Sequence, residues 1–262
     1  MPAAQRKAVR YLLADIDDTM TAQGKLPAAS YAAMERLQAA GLAVVPVTGR
    51  PAGWCDMIAR FWPVAAVVGE NGAFWFRYDH QARRMIRRWW VPEAQRRADR
   101  AKLEALAKAI PAAVPGAAVA SDQAYREADL AIDFAEDVPA LPRAAIDRIA
   151  AMFAEAGAVA KVSSIHVNGW FGAYDKLGMT KRLFAEAWSL DLDHAAARAQ
   201  LAFVGDSAND EPMFAAFENG VGVANVRNFL DRMVMHPAFV TDGAEAAGFA
   251  ELADGLIAAR RD

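Results

Sequence analysis

The chain has 262 residues, of which 55% are hydrophobic and 23% are charged, so it can bury one large core or two smaller ones. Its formal net charge of −3 excludes a molecule built as a whole to coat nucleic acid or an anionic membrane. The single cysteine, Cys55, excludes an internal disulfide, and no apolar run approaches the ~20 residues that span a bilayer. We therefore expect a cytoplasmic protein without a membrane segment.

The first part of the chain alternates apolar runs with helical patterns. Strands are predicted at 10–14, 42–47 and 64–69, and helices at 26–41 and 51–62. Pro46 weakens the second strand, because proline cannot donate a hydrogen bond to a neighbouring strand. The alternation predicts a parallel sheet with helices on both faces.

The middle of the chain follows a different order, a helix and then two strands, which occurs twice. The helices are predicted at 92–110 and 139–156, and the strands at 117–123, 127–134, 158–164 and 166–172. This order indicates a small α+β domain with an antiparallel sheet. The strand–helix alternation then returns and ends with a helix at 244–260. We therefore predict an α/β core formed by residues 1–83 and 173–262, with an inserted α+β domain at 84–172.

Residues 83–102 form a basic stretch, with eight arginine or lysine residues against Glu93 and Asp99. Its net charge is +6, so the rest of the chain carries −9. The simpler interpretation is a solvated strand edge and helix face, and the alternative is a surface that attracts an anionic substrate. Because the run is local and no nucleic-acid motif accompanies it, we expect no nucleic-acid partner.

Polar side chains follow the carboxyl end of each predicted core strand, where open parallel sheets place their ligand sites. They are Asp15, Asp17 and Asp18, then Thr48 and Arg50, then Glu70 and Asn71, and finally Asp206, Ser207, Asn209 and Asp210. Two lysines, Lys176 and Lys181, precede the last of these strands. The first three carboxylates repel one another unless a cation lies among them. A solvated turn, a metal site and a reaction that uses the carboxylates all remain open at this point.

Four segments, "DIDDTM", "PVTGR", "DKLGMTK" and "FVGDSAND", resemble the four motifs of the haloacid-dehalogenase-like (HAD) superfamily, in the family's order. The insertion resembles the large α+β cap of the Cof-type sugar-phosphatase branch, which sucrose-phosphate phosphatases and phosphomannomutases share. The resemblance covers essentially the whole chain. It implies a Rossmann-like core with an inserted cap, and a phosphatase that acts on a small phosphorylated metabolite such as a sugar phosphate.

The resemblance also implies roles for the acidic residues. Asp15 would be the nucleophile that forms an aspartyl-phosphate, and Asp17 would protonate the leaving oxygen and then activate water. Mg²⁺ would bind the Asp15 and Asp206 carboxylates and the Asp17 backbone carbonyl. Asp210 would orient waters bound to Mg²⁺, or the motif lysine. The cation would thus relieve the repulsion among the carboxylates.

The phosphoryl oxygens would be bound by Thr48, Lys176 and Asn209, since phosphoryl transfer depends mostly on positioning and charge stabilisation. Lys176 fits the helix start better than Lys181, which we expect on a solvated face. The chain departs from the common motif at Asp18, where glycine is usual; we expect this residue to be solvated or bonded to the loop. We expect Thr19 to bond to the backbone of the turn.

Six further residues are candidates for substrate contact. His166, Asn168 and Trp170 alternate along one predicted cap strand and therefore share a face. That face suits a polyhydroxylated leaving group, or it is simply a wet face with Trp170 packed at the joint between core and cap. The remaining candidates, for which a structural role is equally open, are Arg50, Glu70 and Asn71.

Two other functions remain open beside the phosphatase. A phosphomutase would have the same motifs and a similar cap but would require a bisphosphate. A binding protein on an inactive scaffold would usually lack a motif residue, and none is missing here. A dehalogenase is disfavoured, because Asp17 is needed only when an oxyanion leaves. The sequence does not indicate an oligomeric state.

Overall fold

The computed structural model describes residues 1–260, and its first part follows the predicted alternation of strands and helices. One helix, α1, was not predicted. The elements are, in order, α1 (Ala3–Ala8), β1 (Tyr11–Ala14), α2 (Ala28–Ala39), β2 (Ala43–Pro46), α3 (Ala52–Phe61), β3 (Val67–Gly69), β4 (Phe74–Asp79) and β5 (Arg84–Trp89).

The middle of the chain has the predicted order of a helix and two strands, twice. Its elements are α4 (Glu93–Ala113), β6 (Ala118–Val119), β7 (Asp129–Asp133), α5 (Arg143–Glu155), β8 (Val159–Val162) and β9 (His166–Trp170). The strand predicted at 117–123 is only two residues long, because the chain turns into a short 3₁₀ helix at Gln123–Tyr125.

The last part returns to parallel strands and helices. Its elements are α6 (Lys176–Trp188), α7 (Ala195–Arg198), β10 (Leu201–Gly205), α8 (Glu211–Ala216), β11 (Gly220–Gly222), β12 (Phe239–Val240) and α9 (Glu245–Ala258). Neither α7 nor β12 was predicted, because segments of two to four residues carry too little periodicity.

The main sheet has five parallel strands in the order β12–β11–β10–β1–β2. A parallel bridge between Val47 and Val68 connects β3 to its β2 edge. Pro46 is tolerated because it is the last residue of β2 and its nitrogen faces away from β1, whose Ala14 carbonyl accepts from Val47. The chain leaves β1 towards β2 and later returns on the other side as β10, so strand order reverses between β1 and β10. The predicted fold class, a parallel-sheet core with an α+β insertion, is confirmed.

The hairpin β4–β5 extends the core beyond the boundary predicted at residue 83. It pairs with β3 in a three-stranded antiparallel sheet. Met85, Ile86 and Trp89 of β5 pack against the two core clusters. The division into core and cap stays a prediction, and this packing favours a first boundary near Glu93.

The inserted region has its own antiparallel sheet and its own apolar cluster. The sheet order is β6–β7–β9–β8, and α4 and α5 supply Leu103, Ile110, Ile149 and Phe153 to the cluster. Gly169 is required in β9, because a Cβ atom there would lie 2.1 Å from the Phe153 ring. Within residues 1–260, no helix combines the length and the apolar character needed to cross a bilayer.

Candidate active site

The register of the main sheet brings the first and fourth motifs together. Ala14 of β1 is paired with Val204 of β10, so Asp15 and Asp206 leave neighbouring strands close to the same level. The Asp15 amide donates to the carbonyl of Val204 at 2.9 Å, which fixes where the nucleophile candidate leaves the sheet. Both aspartates therefore lie at the point where strand order reverses.

Three buried carboxylates and one buried lysine form the centre of the site. Asp15, Asp206 and Asp210 each offer an oxygen, and these oxygens lie within 4.8 Å of one another. The Lys176 ammonium donates to Asp15 Oδ1 at 2.7 Å and to Asp210 Oδ1 at 2.9 Å. Lys176 is the first residue of α6, whereas Lys181 is partly exposed and pairs with the exposed Asp193 at 2.6 Å.

The charges at this centre do not balance. Burial raises the pKa of Asp15 to about 7, although the positive charge of Lys176 opposes this rise, and Asp210 and Asp17 add to it. Burial, with the charges of Asp210 and Asp15, also raises the pKa of Asp206 well above its ordinary value. A cation among these oxygens would favour the ionised carboxylates. Carboxylate oxygens are the ligands that Mg²⁺ prefers, so the donor set fits this metal.

Asp210 organises the loop that carries Asp206. Its Oδ2 atom accepts the backbone N–H of Asp206 at 3.1 Å, and Asp210 forms a capping box with Ser207. Gly205 is needed for this approach, since a Cβ atom there would lie 2.4 Å from Asp210 Oδ2. The glycine and the last aspartate of "GDSAND" are therefore required together.

Asp17 lies outside this carboxylate cluster and is bound by Arg50. The guanidinium donates to Asp17 Oδ1 from Nη2 at 2.8 Å and from Nε at 3.0 Å. The same guanidinium donates to Glu136 Oε1 of the cap at 2.9 Å and lies over the Trp54 ring at 4.6 Å. Arg50 thus connects the acid/base candidate of the core to a carboxylate of the cap.

The turn after Asp17 explains the departure from the common motif. Asp18 has φ +56°, a conformation that suits glycine and that aspartate tolerates better than most residues. Its amide donates to Thr21 Oγ1 at 3.0 Å. The Thr19 amide donates to the Ile16 carbonyl of the turn at 3.3 Å, as expected, and Thr21 Oγ1 donates to the same carbonyl. The Thr19 hydroxyl is buried without a hydrogen-bond partner among residues 1–260.

Thr48 and Asn209 come from the two strand ends that flank Asp15. Thr48 is fully buried, and its Oγ1 atom accepts the Arg50 amide at 3.0 Å. Asn209 is half-buried, with Oδ1 accepting from the Ser207 hydroxyl at 3.0 Å. Asn209 lines the catalytic cleft defined below, whereas Thr48 does not line it.

The cap strand β9 presents two of its three candidate residues to the core. His166 Nε2 lies 2.9 Å from Glu136 Oε2. Asn168 donates to Asp129 Oδ2 at 3.1 Å, and Asn71 of the core donates to the same oxygen at 3.3 Å. This shared acceptor connects the two lobes.

Trp170 and Glu70 occupy structural positions at the joint. The Trp170 indole is buried in the main core cluster and stacks on Tyr174 at 5.5 Å. Glu70 is fully buried, and its carboxylate accepts backbone N–H groups from both lobes. The donors are Ala52 of the core and Glu127, Ala128 and Asp129 of the cap, at 2.6–3.2 Å. Neither side chain lines the catalytic cleft.

Core and cap enclose a small catalytic cleft of about 30 Å³ between them. Its walls include Asp15, Asp17, Arg50, Asn71, Arg126, His166, Asn168, Asp206 and Asn209. This volume is far below the roughly 300–1,000 Å³ of typical small-molecule pockets, so the cleft is narrow for a phosphorylated sugar. The arrangement is therefore a narrow cleft with the candidate catalytic groups on the core side and polar groups on the cap side.

No protein-family model and no curated protein matches the sequence. Solved structures do match: a Thermoplasma acidophilum protein is 20% identical, with a TM-score of 0.69 over 95% of this chain and 98% of its own. The sucrose-phosphatase of Synechocystis, crystallised with sucrose and phosphate, is 16% identical, with a TM-score of 0.63 over 94% and 97%. A HAD subclass IIB sugar phosphatase is 14% identical, with a TM-score of 0.61 over 93% and 97%.

This chain has the fold of the haloacid-dehalogenase-like hydrolases. The resemblance carried by the four sequence motifs is thus confirmed at the level of the fold, including the type of cap found in the sucrose-phosphatase. In this HAD-like fold, the four motifs occupy the carboxyl edge of the main sheet and the start of α6.

Sequence reasoning missed several polar residues that line the catalytic cleft or contact residues that line it. Asn225 donates to the Asp18 carbonyl at 3.0 Å and to Asp206 Oδ2 at 3.3 Å, and its position just after β11 could have revealed it. Glu136 and Arg126 lie in cap loops, where a charged residue ordinarily indicates only a solvated surface. Arg126 is 1% exposed and donates to the Gly49 carbonyl of the core at 2.9 Å.

Proposed function

We propose that this protein is a Mg²⁺-dependent phosphatase that hydrolyses a small phosphorylated metabolite through an aspartyl-phosphate. The observation that carries the proposal is the buried cluster of Asp15, Asp206 and Asp210 around Lys176, at the reversal point of the sheet. A purely structural network of three buried carboxylates would need more positive charge than one lysine supplies. A cation together with an anionic phosphoryl group fits this arrangement.

Each half of the reaction uses the same two aspartates. A carboxylate oxygen of Asp15 attacks phosphorus, the ester P–O bond breaks, and the leaving oxygen takes a proton from Asp17. In the second half, water attacks phosphorus and gives its proton to Asp17, and the P–O bond to Asp15 breaks. Inorganic phosphate leaves, and both side chains return to their starting states.

In this mechanism Arg50 controls when Asp17 can donate its proton. In the closed state the Arg50 guanidinium is hydrogen-bonded to the carboxylate of Asp17. Proton donation to a leaving oxygen requires this contact to loosen, and Glu136 offers the guanidinium a second partner at 2.9 Å. Substrate entry between the lobes would separate these contacts.

Lys176, Thr48 and Asn209 would hold the transferring phosphoryl oxygens. Mg²⁺ would be bound by Asp15, Asp206 and the carbonyl of Asp17, with Asp210 behind them. When bound, the metal would neutralise carboxylate and phosphoryl charge, so that an anionic nucleophile can approach an anionic group.

The leaving group would be a sugar or a similar polyhydroxylated metabolite. His166 and Asn168 supply an imidazole and an amide to the cap side of the cleft. Two structural neighbours, the sucrose-phosphatase and the HAD subclass IIB sugar phosphatase, support this class. We place the activity in the cytoplasm, because the free thiol of Cys55 is buried and suits a reducing compartment.

A panel of phosphorylated metabolites, assayed for phosphate release with Mg²⁺ and with EDTA, tests the proposal. We expect release from one or a few sugar phosphates with Mg²⁺ and none with EDTA. Asp15→Asn should remove turnover while the far-UV circular dichroism stays unchanged. Full activity in Asp15→Asn or in EDTA would contradict the mechanism, and turnover only with an added bisphosphate would identify a phosphomutase instead.

A further inference from the structure

A second, larger cleft lies on the basic side of the joint between core and cap. It measures about 790 Å³ and lies between the start of α3, the hairpin β4–β5, the first turns of α4 and the loop 124–127. Gly53 lets that loop approach α3, since a Cβ atom there would lie 2.9 Å from Tyr125 Cβ. None of the catalytic carboxylates lines this basic cleft.

Positive charge dominates the wall of the basic cleft. Five arginines face three acids: Arg87, Arg96, Arg97, Arg100 and Arg126 against Asp56, Glu93 and Glu127. Two of the arginines are neutralised by these acids, because Arg87 pairs with Asp56 and Arg97 pairs with Glu93. The remaining acid, Glu127, is exposed.

Two of the arginines have no carboxylate within ion-pair distance among the described residues 1–260. Arg96 lies with its guanidinium 3.9 Å from the centre of the Trp89 ring, and its Nη1 atom donates to the carbonyl of Val91 at 3.1 Å. Its Nε atom is buried without a partner. Arg100 donates to the carbonyl of Arg126. Being four residues apart, Arg96 and Arg100 lie on the same face of α4.

We propose that the basic cleft is a second ligand site, which binds a small molecule carrying phosphate or carboxylate groups on Arg96 and Arg100. Guanidinium groups match the planar edge of a carboxylate or the oxygens of a phosphate with paired N–H donors. The Trp89 ring holds one guanidinium in place, which reduces the entropy lost when an anion binds. The cleft is wide enough for a metabolite, unlike the closed catalytic cleft.

This site would also explain the basic stretch 83–102, which the catalytic cleft does not use. No residue of that stretch lines the catalytic cleft. The two clefts share one wall residue, Arg126, whose carbonyl accepts from Arg100 and whose guanidinium donates to Gly49. An anion bound by Arg100 would therefore be connected, through the single residue Arg126, to the loop that carries Gly49 and Arg50.

Isothermal titration calorimetry with pyrophosphate and with citrate tests the proposal. EDTA is present throughout, so that no divalent cation at the catalytic carboxylates can bind the anionic probes. The Arg96→Gln/Arg100→Gln variant removes both unpaired guanidinium groups. The Arg83→Gln/Arg84→Gln variant removes the same charge from the same stretch, outside the cleft, and is the matched control.

We expect one molecule of probe per chain, with Kd raised at least about 10-fold in the first variant and within about 2-fold of wild type in the control. Preference for pyrophosphate would assign a phosphorylated ligand, and preference for citrate a polycarboxylate. Equal weakening in both variants would reveal only general charge attraction and would overturn the proposal. So would the absence of binding by either probe at millimolar concentration. Because no turnover is measured, these outcomes do not depend on the phosphatase activity.

Discussion

At the scale of single residues, the position of a lysine along α6 separates a site residue from a surface residue. Lys176 begins the helix and contacts two buried carboxylates, whereas Lys181 lies more than a turn later in an exposed pair. Lys176→Met should lower kcat with p-nitrophenyl phosphate by at least about 100-fold, because a preorganised charge at the phosphoryl group is lost. Lys181→Met is the matched control and should keep wild-type kcat.

The comparison requires both variants to be folded, which thermal unfolding by circular dichroism checks. If Lys181→Met lost as much activity as Lys176→Met, the assignment of the phosphoryl-binding lysine would fail.

Residues at strand ends were predictable from the sequence, and those in cap loops were not. An aspartate that directly follows an apolar strand can only lie at the sheet edge, which is how Asp15 and Asp206 were found. Glu136 gains its role from the fold of the cap, which brings it to Arg50 across 86 positions of sequence. No local pattern records such a contact, because a charged loop residue has the same appearance in solvent.

At the scale of elements, the strand β9 is expected to select the substrate. His166→Ala or Asn168→Ala should lower kcat/KM for the best natural ester about 10-fold or more, near the 1.4 kcal/mol of one lost polar contact. Hydrolysis of p-nitrophenyl phosphate should change much less, since its leaving group is not the polyhydroxylated group that β9 would contact. Arg148→Ala, on the exposed face of α5, serves as the control for the cap.

Equal losses with both substrates would show that β9 supports the structure or the chemistry itself. Wild-type kinetics with both substrates would place specificity elsewhere.

The loop after β7 should contribute to acid stability through Glu136. The contact of His166 Nε2 with its carboxylate at 2.9 Å, together with Arg50, lowers the pKa of Glu136 from 4.5 to about 2. The ionised form is thus favoured by folding, so the stabilisation is present above pH 4.5 and is lost as pH falls towards 2. Because the side chain is partly exposed, solvent screening limits this contribution to about 1 kcal/mol.

Urea unfolding of wild type and Glu136→Gln at pH 6, 4 and 3 measures this contribution. The difference in the free energy of unfolding should shrink as pH falls. A difference that stayed constant from pH 6 to pH 3 would mean that the charge of Glu136 does not matter to stability.

At the scale of the whole molecule, the alternation of strands and helices predicted the fold class, while the boundary between core and insertion stays a prediction. The hairpin strand β5 lies inside both the basic stretch 83–102 and the predicted insertion 84–172. Its apolar side chains Met85, Ile86 and Trp89 nevertheless pack on the core. The charged side chains of a strand lie on its solvent face. The apolar side chains on the opposite face determine which lobe the strand packs against.

The joint between the two lobes depends on Glu70, whose carboxylate accepts four backbone N–H groups, one from the core and three from the cap. Glu70→Gln replaces one acceptor oxygen with an NH₂ group that faces N–H donors. We expect the free energy of unfolding to fall by about 1–3 kcal/mol, the scale of leaving buried N–H donors without an acceptor.

Hydrogen exchange measured by mass spectrometry locates the effect. Peptides that cover 127–129 should exchange faster in Glu70→Gln, because their amides lose a buried acceptor, while peptides of β1 and β10 keep their protection. Glu127→Gln changes an exposed neighbour in the same way and should leave exchange at wild-type rates. Unchanged protection at 127–129 in Glu70→Gln would mean that other contacts, such as that of Arg126 with Gly49, hold the lobes together without Glu70.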